Sequence, residues 1–436
     1  MGLKKNILAN YLGTGAIALA PILALPWYLQ ALGPQQFGLI GFITMLQALL
    51  GIVDAGTSQA LVREFAVRFN TTESGRRDTA SLLYGVERLY WVFAVLTGVA
   101  ILLLSKTIAT HWLVLEDLPL STGTYAIYGA GLLFAVQFPG SVYRSLLVGT
   151  QAQIPLNVIM LAGALARHFG GVVVVQYWPT LSAYLLWQVA IGLLETLARG
   201  SMAWRTTGIK RKVLEWELQR LQPVWKTIAG LTGATWLGAL TVQMDKIILS
   251  KMVSLQQFGY YTIAASIAIG ALQLVYPLIQ AVMPKAIQLR LDPIGLRKLS
   301  IKLFWLFAAF VTSGGLLFAV VGNWLLNLWV RDAAAVAAIY PVLSVLLVGT
   351  AMNALYNVGY INWLVVGKVD RMLKVNLAAL VLSVAIIPPL VGRLGMIGAA
   401  FGWLAINLIG LIFSLEWLKR KRIEKQHASP TNVMKK

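Results

Sequence analysis

Charged side chains interrupt several long apolar stretches of this sequence, and their types limit the chemistry they could support. Arg167 lies 13 residues after Ile154 in an otherwise apolar stretch, and Arg144 lies within "PGSVYRSLLVG". Arginine carries a planar guanidinium whose paired donors match phosphate and carboxylate groups. Asp54 and Asp245 are carboxylates, which can take up and release a proton. These residues are candidates for binding an anion and for carrying a cation.

A second group of polar residues forms a regular pattern in "NALYNVGYIN". Asn353 and Asn357 stand four positions apart, and Tyr356 and Tyr360 have the same spacing, so each pair would share a helix face. This stripe could face a cavity and bind a polar ligand, or it could join helices by hydrogen bonds. Lys246 directly follows the second of the two aspartates, and the pair could lie in a cavity or at a membrane edge.

Metal and nucleotide chemistry are not expected. The chain has no cysteine and only three histidines, His111, His168 and His427, none of them paired at the spacing of metal ligands. No "GxxxxGK" phosphate-binding motif occurs. The sequence therefore predicts neither a metal nor another cofactor.

The elements that must position these residues are membrane-spanning helices. Of 436 residues, 58% are hydrophobic and 12% are charged, whereas soluble proteins have about 25% charged residues. Apolar runs recur that could each cross a hydrocarbon core of roughly 30 Å as a helix. We predict an all-α polytopic membrane protein with twelve spans: 7–31, 37–62, 80–104, 122–148, 154–177, 180–199, 224–250, 256–284, 301–323, 335–364, 372–391 and 395–418.

The positive charge is distributed unevenly about these spans. With twelve crossings, 30 of the 36 lysines and arginines fall on one side. Such a bias marks the cytoplasmic side, so both termini are predicted to be cytoplasmic. It also accounts for the net charge of +20 without nucleic acid. The basic tail, 419–436, is expected to contact membrane lipids.

The chain contains traces of a duplication. The string "QQFG" occurs at 35–38 and 256–259, 221 residues apart, and "LLVGTQAQ" and "LVVGKVDR" end the fourth and tenth spans. We predict two parallel six-helix lobes, 1–199 and 224–418, joined by a cytoplasmic linker, 200–223, with an amphipathic helix. Each "QQFG" is expected to form the outer turn after the first span of its half. Such repeats commonly place a substrate between lobes that rock, which favours a transporter.

Several segments resemble the Wzx-type polysaccharide flippases. "LGPQQFGLIGFITMLQALLGIVDAGTSQALVREFA" (32–66) contains that family's Leu-Gly-Pro and Phe-Gly junction after the first helix, its Asp-x-Gly near the end of the second, and the following arginine. "VQMDKIILSKMVSLQQFGYYTIA" (242–264) is similar to its seventh helix and the following junction, and "YRSLLVGTQ" (143–151) to the end of its fourth. The likeness extends thinly over most of the chain.

The resemblance implies the MATE-like fold of the multidrug/oligosaccharidyl-lipid/polysaccharide exporter superfamily. The implied substrate is a lipid-linked oligosaccharide, an undecaprenyl-diphosphate-linked repeat unit moved across the bacterial inner membrane, with other polysaccharide-assembly membrane proteins as partners. Arg167, Arg144 and Lys246 then become candidates for the diphosphate, and the Asn and Tyr stripe for the sugars. Asp54 and Asp245 become candidates for coupling to a proton or sodium gradient.

Simpler explanations exist for these residues, and other functions are open to the protein. Arg167 could reach the outer interface, Arg144 could be an ordinary cytoplasmic cation, and Asp54 could cap or kink a helix. A cation-coupled multidrug exporter of the same fold would favour an acidic cavity, whereas the charges here are mainly cationic. A membrane-embedded polymerase would need a substantial outer loop. Lipid II flippases generally carry two more helices and cations in the first helix.

Overall fold

The computed structural model describes residues 3–70, 72–211 and 222–418, and within them the regular structure is helical, with no strand. The α helices, in chain order, are α1 Leu3–Arg68, α2 Glu73–His111, α3 Leu120–Gln137, α4 Gly140–Gly149, α5 Gln153–Leu165, α6 Gly171–Tyr177, α7 Leu181–Thr207, α8 Gln222–Met252, α9 Leu255–Gln273, α10 Tyr276–Gln288, α11 Pro293–Val330, α12 Ala333–Val366, α13 Val369–Leu394 and α14 Met396–Ser414. A 3₁₀ turn, Leu415–Leu418, follows α14.

The predicted twelve spans are confirmed. Ten helical segments of the described chain are long and apolar enough to cross a membrane. One of them, Leu19–Asp54, contains a break at Gly33, whose φ of 78° and ψ of 165° are not helical, so α1 makes two passes. The helix α8, with 31 residues, supplies the remaining pass. The fold is therefore all-α with two six-helix lobes, as the sequence predicts.

Several spans differ in detail from the predicted ones. The fourth span is broken between α3 and α4, and the eighth between α9 and α10. The sixth continues to Thr207, beyond the predicted end at Arg199. The predicted amphipathic helix of the linker falls largely on 212–221, and the basic tail on 419–436; both lie outside the described residues.

The connections at one end of the bundle are very short. They are the break at Gly33, residues 112–119, 178–180, 253–254 and 331–332, and the single residue Gly395. The basic residues gather at the opposite end. We call the two ends outer and inner, following the orientation that the charge bias predicts.

The buried clusters show how the two lobes pack. The largest cluster combines both lobes, and its members come from the outer halves of the helices, such as Phe37, Phe258 and Ile339. Two smaller clusters lie in the inner halves. One belongs to the first lobe, around Phe65 and Leu146, and the other to the second, around Phe307 and Val358. The cluster shared between the lobes is thus an outer one, and each inner cluster is confined to one lobe.

The two "QQFG" strings meet at this shared outer core. A Cβ atom on Gly38 would lie 1.9 Å from the carbonyl oxygen of Leu255, and one on Gly259 would lie 3.1 Å from the backbone nitrogen of Gly38. Only glycine permits such an approach of two backbones. The prediction that these strings form the outer turns is wrong. Both are helical, and the turns lie just before them, at Gly33 and at 253–254.

Polar contacts at the outer end also join the lobes. Gln30 Nε2 donates to the carbonyl oxygen of Val330 at 3.0 Å, and Trp112 Nε1 donates to Ser250 Oγ at 3.0 Å. The ammonium of Lys251 lies 5.5 Å from the centre of the Trp112 ring. We name these contacts, together with the approach of the two "QQFG" strings, the outer closure.

Candidate functional site

The fifth span contains a π-helical turn, Ala166–Gly170, that carries Arg167. The widened turn frees backbone carbonyls, and neighbouring spans bind them. Tyr28 donates its hydroxyl to the carbonyl of His168 at 2.7 Å, and Gln188 Nε2 donates to the carbonyl of Arg167 at 3.2 Å. π-turns of this kind often occur at functional sites. Here the turn fixes the backbone from which the Arg167 side chain extends.

A carboxylate of the sixth span binds two arginines. Arg167 Nη2 lies 3.0 Å from Glu195 Oε2, and Arg199, one turn further along α7, pairs with the other carboxylate oxygen. The side chain of Glu195 is 3% exposed, and that of Arg167 is 23% exposed. We call Arg167, Glu195 and Arg199 the charge triad. It carries one positive charge in excess, and part of Arg167 remains accessible.

The charge triad has unused hydrogen-bonding capacity. The Nε atoms of Arg167 and Arg199 are buried and have no hydrogen-bond partner. A side chain at Gly163 would collide with Glu195, its Cβ lying 2.7 Å from the carboxyl carbon, so a glycine is needed there for α5 to approach the carboxylate. An excess cation with spare donors, held by a buried carboxylate, is suited to receive an anionic group.

Asp54, on the second pass of α1, has a different environment. It accepts hydrogen bonds from Ser58 Oγ at 2.6 Å and from the Tyr90 hydroxyl at 2.7 Å. The Tyr90 ring stacks on Phe138, with the ring centres 4.9 Å apart. Among the described residues no lysine or arginine lies within ion-pair distance of this carboxylate. Asp54 is therefore an acid within the membrane that is held by hydroxyl groups alone.

Asp245 and Lys246 form a closed pair in the second lobe. Lys246 Nζ lies 3.2 Å from Asp245 Oδ1, and the Tyr261 hydroxyl donates to Asp245 Oδ2 at 2.6 Å. Both charged residues are buried. Since each charge is compensated by its neighbour, the pair adds no net charge to its surroundings.

The polar stripe of the tenth span is bonded to the twelfth span. Asn353 Nδ2 donates to Asn407 Oδ1 at 2.6 Å, and Asn357 Nδ2 donates to Asn353 Oδ1 at 3.1 Å. Tyr356 and Tyr360 lie with their ring centres 5.9 Å apart, and the Tyr356 hydroxyl is buried without a partner. The stripe thus makes hydrogen bonds between helices, which is the second of its two predicted roles. Its role in sugar binding stays a prediction.

The candidate residues fall into separate groups. Arg167 and Asp54 lie in the first lobe, as does Arg144, which is exposed on α4. Lys246, Asp245 and the polar stripe lie in the second lobe. No hydrogen bond or ion pair within the described chain joins one group to another. Their roles in binding and coupling stay predictions.

Sequence reasoning indicated the pair of Asp245 and Lys246 but missed the other partners of these groups. Glu195 and Arg199 are spaced four apart in "LLETLARG", a signal that could have indicated a pair within the sixth span. The tyrosines Tyr90 and Tyr261, which bind the two aspartates, carry no such local signal because they come from other helices.

Comparison with known proteins identifies the family. The family model described as "Polysaccharide biosynthesis protein" matches residues 3–289, more than half of the chain. A protein described as "Putative O-antigen transporter" from Shigella flexneri is 22% identical over 421 residues, which cover 96% of this chain and 98% of that protein.

Solved structures show the same fold. A multidrug resistance MATE family transporter of the MOP superfamily, in an inward-facing conformation, superposes with a TM-score of 0.71 at 14% identity, covering 95% of this chain and 96% of that one. The lipid II flippase MurJ, in an inward closed conformation, gives 0.57 at 14% identity over 95% and 87% of the two chains. The predicted MATE-like transporter fold and the predicted resemblance are confirmed, and this multi-pass membrane protein belongs to the polysaccharide biosynthesis protein family.

Proposed function

We propose that this protein flips an undecaprenyl-diphosphate-linked oligosaccharide from the cytoplasmic to the outer leaflet of a bacterial inner membrane. The charge triad is the observation that carries the proposal. It holds a partly exposed cation, Arg167, inside a lobe of a two-lobed transporter, where an unneeded charge would be costly. A diphosphate is a ligand that a guanidinium binds through paired hydrogen bonds. The family and its O-antigen relative support the choice of substrate class.

The packing of the lobes supports a starting state that accepts substrate from the cytoplasm. The lobes share their buried core in the outer half, while the inner clusters are separate. The positive-inside bias supports a cytoplasmic position for the separated half and for both termini. In this state the outer closure prevents release to the outside.

Transport then requires the lobes to rock against each other so that their shared outer core opens. Breaking the outer closure and bringing the two inner clusters together would expose the site to the outer leaflet, as expected for parallel-repeat transporters. The diphosphate and sugars would pass between the lobes, and the polyprenyl tail would remain in lipid. Other polysaccharide-assembly membrane proteins would receive the product.

The proposal is tested in a strain that lacks its own flippase but makes the cognate repeat unit. Expression of this protein is expected to restore surface polysaccharide, measured on gels of whole-cell extracts, and to deplete repeat units from the inner leaflet. Membrane-inserted protein without restoration, in the presence of the cognate sugar, would contradict the proposal. Resistance to cationic drugs without restoration would instead favour a multidrug exporter.

Coupling to an ion gradient is proposed to rest on Asp54. A carboxylate held by hydroxyls alone can exchange a proton without breaking an ion pair, unlike Asp245, whose partner is Lys246. Asp54→Asn is expected to abolish stimulation of transport by an imposed proton gradient, measured in proteoliposomes, while transport down a substrate gradient persists. Asp370→Asn, an exposed acid at the inner end, is the matched control. Gradient stimulation that survives Asp54→Asn would exclude this role.

A further inference from the structure

A groove of about 760 Å³ lies at the inner end of the first lobe, and none of the three residues of the charge triad lines it. One face of α7 forms its floor, including Gly200 and Trp204, and Tyr143 of α4 borders it. Gly208, in the left-handed region with φ of 68°, ends α7 and turns the chain. The next residues, 209–211, therefore fold back beside the groove and complete its lining.

The groove is strongly cationic at one end. Its lining includes Arg205, Lys210 and Arg211. Arg211 pairs with Glu87 at 3.0 Å and covers the Trp204 ring, its guanidinium carbon lying 4.7 Å from the ring centre. Arg205 and Lys210 are exposed and have no ion-pair partner among the described residues. Two positive charges thus have no counter-charge in the part of the chain that the structure describes.

The other end of the groove is apolar. Leu197 lines it, and this side chain continues a row of exposed leucines on α7 that includes Leu186 and Leu194. Exposed leucines on a spanning helix face lipid, because the bilayer core is as apolar as they are. Along α7 the groove therefore passes from lipid-facing leucine to cations within three turns of helix. This order matches an amphiphile whose chain lies in the membrane and whose anionic head lies at the surface.

We propose that this groove binds one anionic glycerophospholipid of the inner leaflet. Its phosphate contacts Arg205 and Lys210, and an acyl chain lies along Leu197. Basic pockets at the cytoplasmic ends of spanning helices bind anionic headgroups in this way. The occupant is a resident lipid rather than cargo, because among the described residues the groove is lined only by the first lobe and the start of the linker, and it adjoins the lipid-facing leucines of α7. The bound lipid would hold residues 209–211, which lie in the linker between the lobes, against the first lobe.

Native mass spectrometry of the purified full chain tests the site. With phosphatidylglycerol added, one adduct is expected to survive activation, whereas phosphatidylcholine is expected to leave none. The double variant R205Q/K210Q is expected to lose that adduct by at least tenfold. The matched control, R290Q/K298Q, removes two exposed charges from the same predicted face and is expected to retain it. Size-exclusion profiles identical to wild type establish that both variants are folded.

Three results would overturn the proposal. Equal retention of phosphatidylglycerol by both double variants would show that these cations do not hold it. Displacement by inorganic phosphate would indicate a site for free anions. Displacement by an equal amount of undecaprenyl diphosphate, with the same loss in R205Q/K210Q, would indicate an entry site for cargo. Because no arm measures transport, the outcome is independent of the proposed flippase activity.

Discussion

Arg167→Ala is expected to lower export of the sugar repeat unit at least about tenfold, since a hydrogen bond to a charged group contributes about 1.5–3 kcal/mol. The amount of protein in the membrane is expected to stay unchanged. The reason is that Glu195 keeps Arg199 as its counter-charge, so the substitution leaves no buried charge unpaired. Export is measured as surface polysaccharide per unit of membrane-inserted protein.

Two further variants distinguish binding from support of the fold. Glu195→Gln removes the carboxylate that compensates both arginines, and breaking a buried pair in this way costs about 3–5 kcal/mol. This variant is therefore expected to lower the protein level itself. Arg393→Ala, at the outer end of α13, removes a cation outside the charge triad and is expected to change neither quantity. Full export by Arg167→Ala at a matched protein level would exclude Arg167 from substrate binding.

A disulfide across the outer closure is expected to stop export completely and reversibly. In the structure a Cβ atom on Gly41 would lie 3.2 Å from the Cβ of Thr262, which belongs to the other lobe. Disulfides typically join Cβ atoms about 3.5–4.5 Å apart, so Gly41→Cys/Thr262→Cys needs only a small adjustment. If the lobes must separate there, oxidation holds the transporter in one state, and reduction restores export.

The sequence contains no native cysteine, so the introduced pair supplies the only thiols and no other disulfide can form within the chain. Gly51→Cys/Thr262→Cys is the control, since a side chain at Gly51 would meet no atom within 4 Å. It is expected to export equally under both conditions. Cross-linked Gly41→Cys/Thr262→Cys protein that still exports would show that the outer closure does not open during transport.

The sequence was sufficient to predict the twelve spans because the bilayer fixes the length and polarity of each crossing helix. Helix breaks were harder to predict. Gly33 directly precedes Pro34, a dipeptide typical of turns, yet the sequence pattern led us to expect the turn at the following "QQFG". The glycines of that string are needed for a contact between lobes, which depends on the angle at which two distant helices cross. A single sequence holds no signal for that angle.

The candidate site was predicted in part. The sequence indicates Arg167 as a candidate because a charged residue within an apolar membrane span is energetically costly. Its partner Glu195 lies in the next span, so their contact depends on how α5 and α7 pack and on the π-turn between them. The hydroxyl of Tyr90 that binds Asp54 was equally unpredictable, since tyrosine is common in apolar helices of any role.

The short outer connections have a consequence for recognition from outside the membrane. In the predicted orientation, the longest of them, 112–119, has eight residues, and two are single glycines. A protein on the outer side of that membrane would find only these short connections to bind. Epitope tags inserted there would interrupt packed helices, so tags belong at the inner connections. A protein proposed to supply sugars for the cell surface would thus present very little of its own chain beyond the inner membrane.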